Sequence, residues 1–237
     1  MCGRVIQFAP PRDIAQQFET SGDLPNAAAR YNGAPSQDLM VVRHHPKTGM
    51  RHVGLLRWGL IPSWAKDRKV AFKMINARCE SAATKAAFAP ALEKRRCLVP
   101  VDGFYEWKSV GKTRQPYAFA MADRRPFALA GLWEWWKDPA GGEEVRSFTV
   151  LTTAANALVS PLHDRMPVIV RPENWQAWLS DARAAPELLE PHPADAMISW
   201  PVSDRVGSVR NEGPDLLEPV EPLSDPELTR SVQPSLL

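Results

Sequence analysis

Twenty-three prolines are spread through the 237 residues, and they limit the folds open to this chain more than any other feature. Each one fixes φ near about −65° and removes a backbone donor, which breaks helices in their interior. Short strands, tight turns and ordered loops remain. The apolar pattern between the prolines agrees. A helix is expected at Pro11–Phe18, where Ile14 and Phe18 share one face. Strands are expected at Leu39–Arg43 and His52–Leu60, paired about the PKTG turn, and at Arg96–Pro100, Phe104–Lys108, Tyr117–Met121, Phe127–Trp133, Phe148–Thr153 and Val168–Val170. SVGKTR reads as a hairpin connection, RYNGAPSQ as a turn-rich loop and Ala154–Leu158 as a short helical turn. An Ala-rich helix is expected near Ser81–Phe88 and a proline-initiated one at Pro172–Leu179, with late strands at Ile198–Val202 and Val206–Val209.

Nothing repeats, and no strand–helix alternation marks a parallel sheet. The expected fold class is α+β: one domain over residues 1–220, built on a mostly antiparallel, curved or barrel-like sheet with peripheral helices. Residues 221–237 are rich in proline and acid, offer little to bury, and are expected to form a flexible tail.

Composition excludes several classes. No stretch approaches the roughly 20 apolar residues of a membrane span, and the start lacks a secretory pattern, so a cytoplasmic location is expected. Cys2, Cys79 and Cys97 form neither a CxxC pair nor a disulfide framework, and the five histidines have no zinc spacing; no metal and no cofactor is expected. Net charge is only +2, but it is unevenly placed. Thirteen Lys and Arg face three acids between Arg43 and Arg96, and four face eleven from Asp181 onward. The basic stretch carries Trp58, Trp64, Phe72 and Phe88, a composition that suits single-stranded nucleic acid. From composition alone, a solvated basic face over a core of aromatics is the plainer account.

Chemistry concentrates in four short segments. Only Met1 precedes Cys2. If Met1 is trimmed, Cys2 carries an α-amine and a thiol on one residue. Such an aminothiol condenses with aldehydes to an imine that the thiol closes to a thiazolidine; it can also act as a nucleophile with its own amine as base. The second segment is Asn76-Ala77-Arg78 with Glu80. In the third, Glu106 lies between Tyr105 and Trp107, surroundings that raise a carboxyl's pKa by desolvation and suit it to proton transfer near neutrality. In the fourth, His163 heads His163-Asp164-Arg165-Met166-Pro167, and an imidazole is a side chain suited to moving protons. Taken singly, Glu106 on the polar face of a strand and His163 bonded to loop backbone are the plainer accounts.

Taken together, the segments MCGR, RYNGAP, RWGLIPSW, INARCES, GFYEW, LTTAAN, HDRMPVIV and VSDRVGSVRNEG resemble the SRAP family, the SOS-response-associated peptidase-like proteins of bacteria, in family order over residues 1–220. The resemblance implies binding to single-stranded DNA that carries an abasic site, whose open sugar presents an aldehyde. It implies that Cys2 attacks through its amine and locks a thiazolidine through its thiol, shielding the lesion in the DNA damage response. Asn76 would orient the terminus, while Glu106 and His163 would handle protons. Arg4, Arg78 and Arg165 would hold flanking phosphates. Asn32, Trp58, Trp64 and Arg210 would line or support the DNA groove, with Pro62 and Trp64 as a stacking wedge.

An α-amine titrates near about 7.7–8.0 and a thiol near about 8.5, so neither needs a large shift to react. The protein is expected to act as a monomer. Cys79 and Cys97 are expected to be structural. The alternative function is a thiol peptidase or autopeptidase with Cys2 as nucleophile. A β-elimination lyase step at the same imine and a non-covalent DNA-binding module with inert Cys2 complete the set.

Overall fold

The structure is a computed structural model that describes residues 2–45, 48–180 and 188–223. Prolines punctuate it as expected: the longest α-helix among these residues, α1 (Pro11–Gln17), has seven residues and a proline at its start. The other helices are α2 (Cys79–Ala82), α3 (Ala89–Lys94) and α4 (Trp175–Ser180). Everything else of substance is strand: β1 (Val5–Gln7), β2 (Arg30–Gly33), β3 (Asp38–His44), β4 (Arg51–Trp58), β5 (Asn76–Arg78), β6 (Arg96–Val101), β7 (Gly103–Val110), β8 (Thr113–Met121), β9 (Phe127–Lys137), β10 (Glu144–Ala154), β11 (Arg165–Pro167), β12 (Ile169–Val170) and β13 (Met197–Pro201).

The strands form two sheets. One runs β13-β8-β7-β1-β2 and is antiparallel throughout. The other holds eight strands, and in it β10, β4, β3, β6 and β9 close on themselves because β9 also pairs with β10. That closure makes the barrel. Strand β10 adds two parallel pairings to an otherwise antiparallel sheet, with β4 at Phe148↔Trp58 and with β5 at Val150↔Asn76. Its far end pairs with β11 at Ala154↔Arg165.

The barrel strands β3 and β6 are largely apolar and buried on both faces, as strands covered on both sides must be. Leu39 and Val41 of β3 point inward to a core shared with Val99, Phe148, Val150 and, from the second sheet, Cys2, Phe104 and Phe119. Met40 and Val42 point outward beneath a layer of helices that contributes Ile14, Phe18, Ala91, Trp175 and Trp178.

Four local expectations are corrected. RYNGAPSQ starts as β2 rather than as loop, because β1 supplies a pairing edge at Val5↔Gly33 and the Tyr105 hydroxyl donates to the Tyr31 carbonyl. The Ala-rich helix expected near Ser81–Phe88 is mostly turn: α2 ends at Ala82, and α3 starts only at Ala89, with Pro90 in its first turn. The end of HDRMP is a strand, β11, drawn out by the exposed end of β10. Val206–Val209 is not a strand: Asp204–Gly207 is a 3-10 turn, capped where the Ser203 side chain accepts from Arg205 N. The flexible-tail expectation from residue 224 onward lies outside the described residues.

Gly103 opens β7 where the sheets meet. A Cβ there would lie 2.5 Å from the Phe119 carbonyl oxygen and 2.9 Å from Ile6 Cδ1. The first is backbone of the paired strand and cannot step aside. Gly103→Ala is therefore expected to cost about 2–3 kcal/mol, lowering Tm by about 5–10 °C in calorimetry. A melting temperature equal to wild type would show that the hairpin relaxes freely.

Candidate functional site

Cys2 is completely buried. It stands just ahead of β1, whose register with β7 is Val5↔Phe104 and Ile6↔Gly103, with Tyr105 N donating to Arg4 O at 3.0 Å. Continuing that antiparallel register places Gly3 opposite Glu106 and Cys2 beside Trp107. From the other side, Asn76 Nδ2 donates to the Cys2 carbonyl at 2.6 Å. Asn76 is itself aimed by its neighbour. The Ile75 carbonyl accepts from Trp58 Nε1 at 2.9 Å and from Val150 N at 3.2 Å, which pins the start of β5. The remaining amide oxygen of Asn76 is buried and has no hydrogen-bond partner among the described residues. An orphan acceptor of this kind points to a missing donor.

Burial raises the Glu106 carboxyl above the usual glutamate range, opposed by the positive amino terminus and by His163. The Cys2 thiol is pushed up to about 12, first by burial and then by the Glu106 charge. This departs from the sequence reading, which assumed an unshifted thiol. At neutral pH the sulfur keeps its proton.

His163 follows the turns after β10. Its Nδ1 lies 2.9 Å from Arg165 N and 2.8 Å from Asp164 Oδ1. The two contacts suit different protonation states: a neutral ring accepts from the backbone N–H, whereas a protonated Nδ1 pairs with the carboxylate. Asp164 thus gives the imidazole a place to hold a proton.

The arginines divide. Arg165 grips Glu80 with both Nη atoms (2.5 and 2.8 Å) and donates to Thr152 O at 2.6 Å, tying α2 to the end of β10. That fork holds the Glu80 carboxyl down to about 2. Arg4 donates to Asn32 Oδ1 at 2.6 Å and to the Val206 carbonyl, with its guanidinium over Trp107. Asn32, fully buried, donates to Ser208 and Asn211 carbonyls at 3.0 Å each. Arg4 and Asn32 therefore brace the loop after the Asp204–Gly207 turn, and Arg165 braces the helix after β5.

Trp58 is 1% exposed and stacks on Phe148, so its place is in support of the site. Arg78 and Arg210 are exposed, and Trp64 is 62% exposed. Phe72, read from the sequence only as part of a basic, aromatic stretch, is 68% exposed in a 3-10 helix, Arg68–Lys73, that also carries Lys69 and follows Lys66. Phe88 of the same stretch is buried. Glu80 was named as a neighbour of Asn76 but not as Arg165's partner; contacts across 85 residues leave no local signal in the chain.

Among the described residues, no three His, Cys, Asp or Glu converge as metal ligands. A cavity of about 600 Å3 is lined by Arg51, Phe127, Arg171 and Trp175, among others, and none of Cys2, Asn76, Glu106 and His163 lines it.

The sequence and the fold have counterparts in other proteins. The chain is 41% identical over 225 residues to the abasic site processing protein YoqW of Bacillus subtilis, covering 92% of this chain and 99% of that one. It is 31% identical to the abasic site processing protein YedK of Escherichia coli, covering 93% and 100%. The fold matches the crystal structure of a Bacteroides thetaiotaomicron protein with a TM-score of 0.82 at 24% identity, covering 93% of this chain and all of the other. The family model described as SOS response associated peptidase (SRAP) matches residues 1–209. With that match spanning most of its length, the chain belongs to the SRAP family.

Proposed function

We propose that this protein processes abasic sites in single-stranded DNA by linking itself covalently to the exposed aldehyde through Cys2, after removal of Met1. The observation that carries the reading is the buried Cys2 held by Asn76 at 2.6 Å, beside a glutamate whose carboxyl is raised and a histidine with a proton-holding partner. The names of the relatives point to the same lesion.

The steps follow from the charges. A free α-amine titrates near about 7.7–8.0 and has a neutral fraction at physiological pH, whereas the buried thiol does not ionise there. The amine attacks first, forming the C–N bond at the sugar C1′ and leaving a carbinolamine. Glu106, whose burial favours the protonated carboxyl, donates to the departing hydroxyl, and water leaves as the imine forms. The thiol then adds to the imine carbon; an S–C bond forms and the sulfur's proton passes to nitrogen. The sum is one thiazolidine and one water. His163 moves the proton that opens the sugar ring. Asn76, through the Cys2 carbonyl and its unpartnered Oδ1, holds the terminus and the adduct in place.

Trp64 and Phe72 provide faces for stacked bases, and the lysines between them, with Arg78 and Arg210, meet phosphates. Arg4, Asn32, Trp58 and Arg165 act behind that surface. A thiol peptidase needs a ready thiolate, and burial of Cys2 counts against one here.

Incubation with a single-stranded oligonucleotide bearing one abasic site is expected to yield a species that survives a denaturing gel. Its mass should equal protein plus DNA less one water, and Cys2→Ala should not form it. If protein shown by intact mass to lack Met1 gives no such species, the reading fails.

A further inference from the structure

The barrel has a second polar end, remote from Cys2. Arg43 on β3 points to the inner face, the face of Leu39 and Val41, and is 6% exposed. Its guanidinium lies over the Trp133 ring, 4.5 Å from the centroid, and its Nη2 is 3.0 Å from Nε2 of His52, its cross-strand partner on β4. Its Nε is buried and makes no hydrogen bond among the described residues, and so is Nδ1 of His52. A buried charge needs a counter-charge or full hydrogen bonding. The aromatic face offsets part of that cost but supplies neither.

The surroundings worsen the imbalance. Arg146, exposed on β10, pairs with Trp135 and stands diagonal to Trp133 on the same face. Its charge acts on both Arg43 and His52, and the His45 ring packs edge-on against His52 at 5.8 Å. The charged groups acting on the pair include no carboxylate: Cys97 and Arg146 act on Arg43, and Arg43, His45 and Arg146 act on His52. There is also room. At Gly54 a Cβ would meet only Arg43 Nη2, at 3.9 Å, so the sheet surface beside the guanidinium carries no side chain.

We propose that this end of the barrel binds a phosphate-sized oxyanion between Arg43, Arg146 and His52. The anion accepts from the orphan Arg43 Nε–H and from Arg146, and it draws a proton onto His52, giving Nδ1 a partner. His52 in the anion-free state is held down to about 4 by burial and by the nearby cations, and the incoming charge reverses the second of these. The site is separate from Cys2: Arg146 lies four residues along β10 from Val150, the partner of Asn76, or about 13 Å. Free phosphate and the terminal phosphate of a nucleic acid share this chemistry.

The test follows the His52 imidazole by NMR, assigned by its loss in His52→Asn, while inorganic phosphate is titrated at constant ionic strength. A saturable shift toward the protonated ring is expected. In Arg146→Gln, a substitution at an exposed position that should fold normally, the apparent affinity should fall at least about fivefold, with abasic-site crosslinking unchanged. A parallel titration compares a short oligothymidylate with and without a 5′-phosphate. Tighter binding of the phosphorylated strand assigns the site to nucleic-acid ends, and binding no tighter than inorganic phosphate assigns it to the free ion. A His52 response no larger than with chloride, or an undiminished response in Arg146→Gln, overturns the proposal.

Discussion

Changing Cys2 to serine is expected to abolish the DNA adduct that survives denaturation while leaving an imine that borohydride can trap. Serine keeps the α-amine, and its side chain is small enough to occupy the space that the thiol fills. The Asn76 contact is to the backbone carbonyl and is unaffected by the change. What is lost is the second bond. A hydroxyl is a far weaker nucleophile than sulfur, so the imine stays open and hydrolyses. The experiment therefore separates the two halves of the aminothiol. A trapped product with serine and none with an acetylated terminus means that nitrogen attacks first. A stable serine adduct without reductant would remove sulfur from the mechanism, and no trapped product at all would remove the amine as first attacker.

The second large effect is expected for Glu106→Gln. Loss of a positioned acid–base group typically costs about a hundredfold or more in rate. The crosslinking rate should fall by that amount and lose the pH-dependent limb that Glu106 supplies. Stability should move the other way. Burial raises the carboxyl's pKa in the folded protein above its value in the unfolded chain, so the folded state binds its proton to higher pH. Between the ordinary glutamate value near about 4.3 and the raised one, wild-type stability falls as pH rises, and the loss persists above that window. Glutamine has no proton to lose. The melting temperatures of wild type and Glu106→Gln should converge below about pH 4, where the carboxyl is protonated in both folded and unfolded chains, and the variant should be the more stable near about pH 7. A variant that is slower and also less stable at neutral pH would mean that Glu106 is chiefly a structural ion-pair partner. The proposed exchange of protons at this carboxyl would then have to be abandoned.

Together these outcomes describe a site that sacrifices stability for reactivity. Cys2 and Glu106 are both buried ionisable groups, and the Glu106 charge adds to burial in opposing ionisation of the thiol. A surface pair would cost less, but water would level the pKa of the carboxyl. Burial keeps the acid protonated enough to assist dehydration and the thiol protonated until an imine exists to receive it.

Much of this was legible along the chain. Proline spacing confined the helices to short ones, and alternation located most strands of the barrel, since a period of two is a local property. The segments around Cys2, Asn76, Glu106 and His163 were visible because each is a compact run of polar residues among apolar ones. Expectations failed where a partner distant in sequence decided the outcome. Arg30–Gly33 became a strand only because β1 offered an edge, and Val206 turned into a 3-10 element, its carbonyl accepting from Arg4 and Asn32.

The residues of the site show the same division. By itself the sequence determined which chemistry was at hand: an aminothiol once Met1 leaves, a carboxyl between aromatics, a histidine beside an aspartate. Only the tertiary structure decided which side chains are free to meet a ligand. Trp58 and Trp64 stand six residues apart in one basic segment, yet one lies in the core and the other is mostly exposed. Arg165 looks like a phosphate donor until Glu80, 85 residues away, is seen in its grip. The state of Cys2 was decided there too. Its thiol is shifted by desolvation and by the Glu106 charge, both of which exist only once two sheets have closed over the start of the chain.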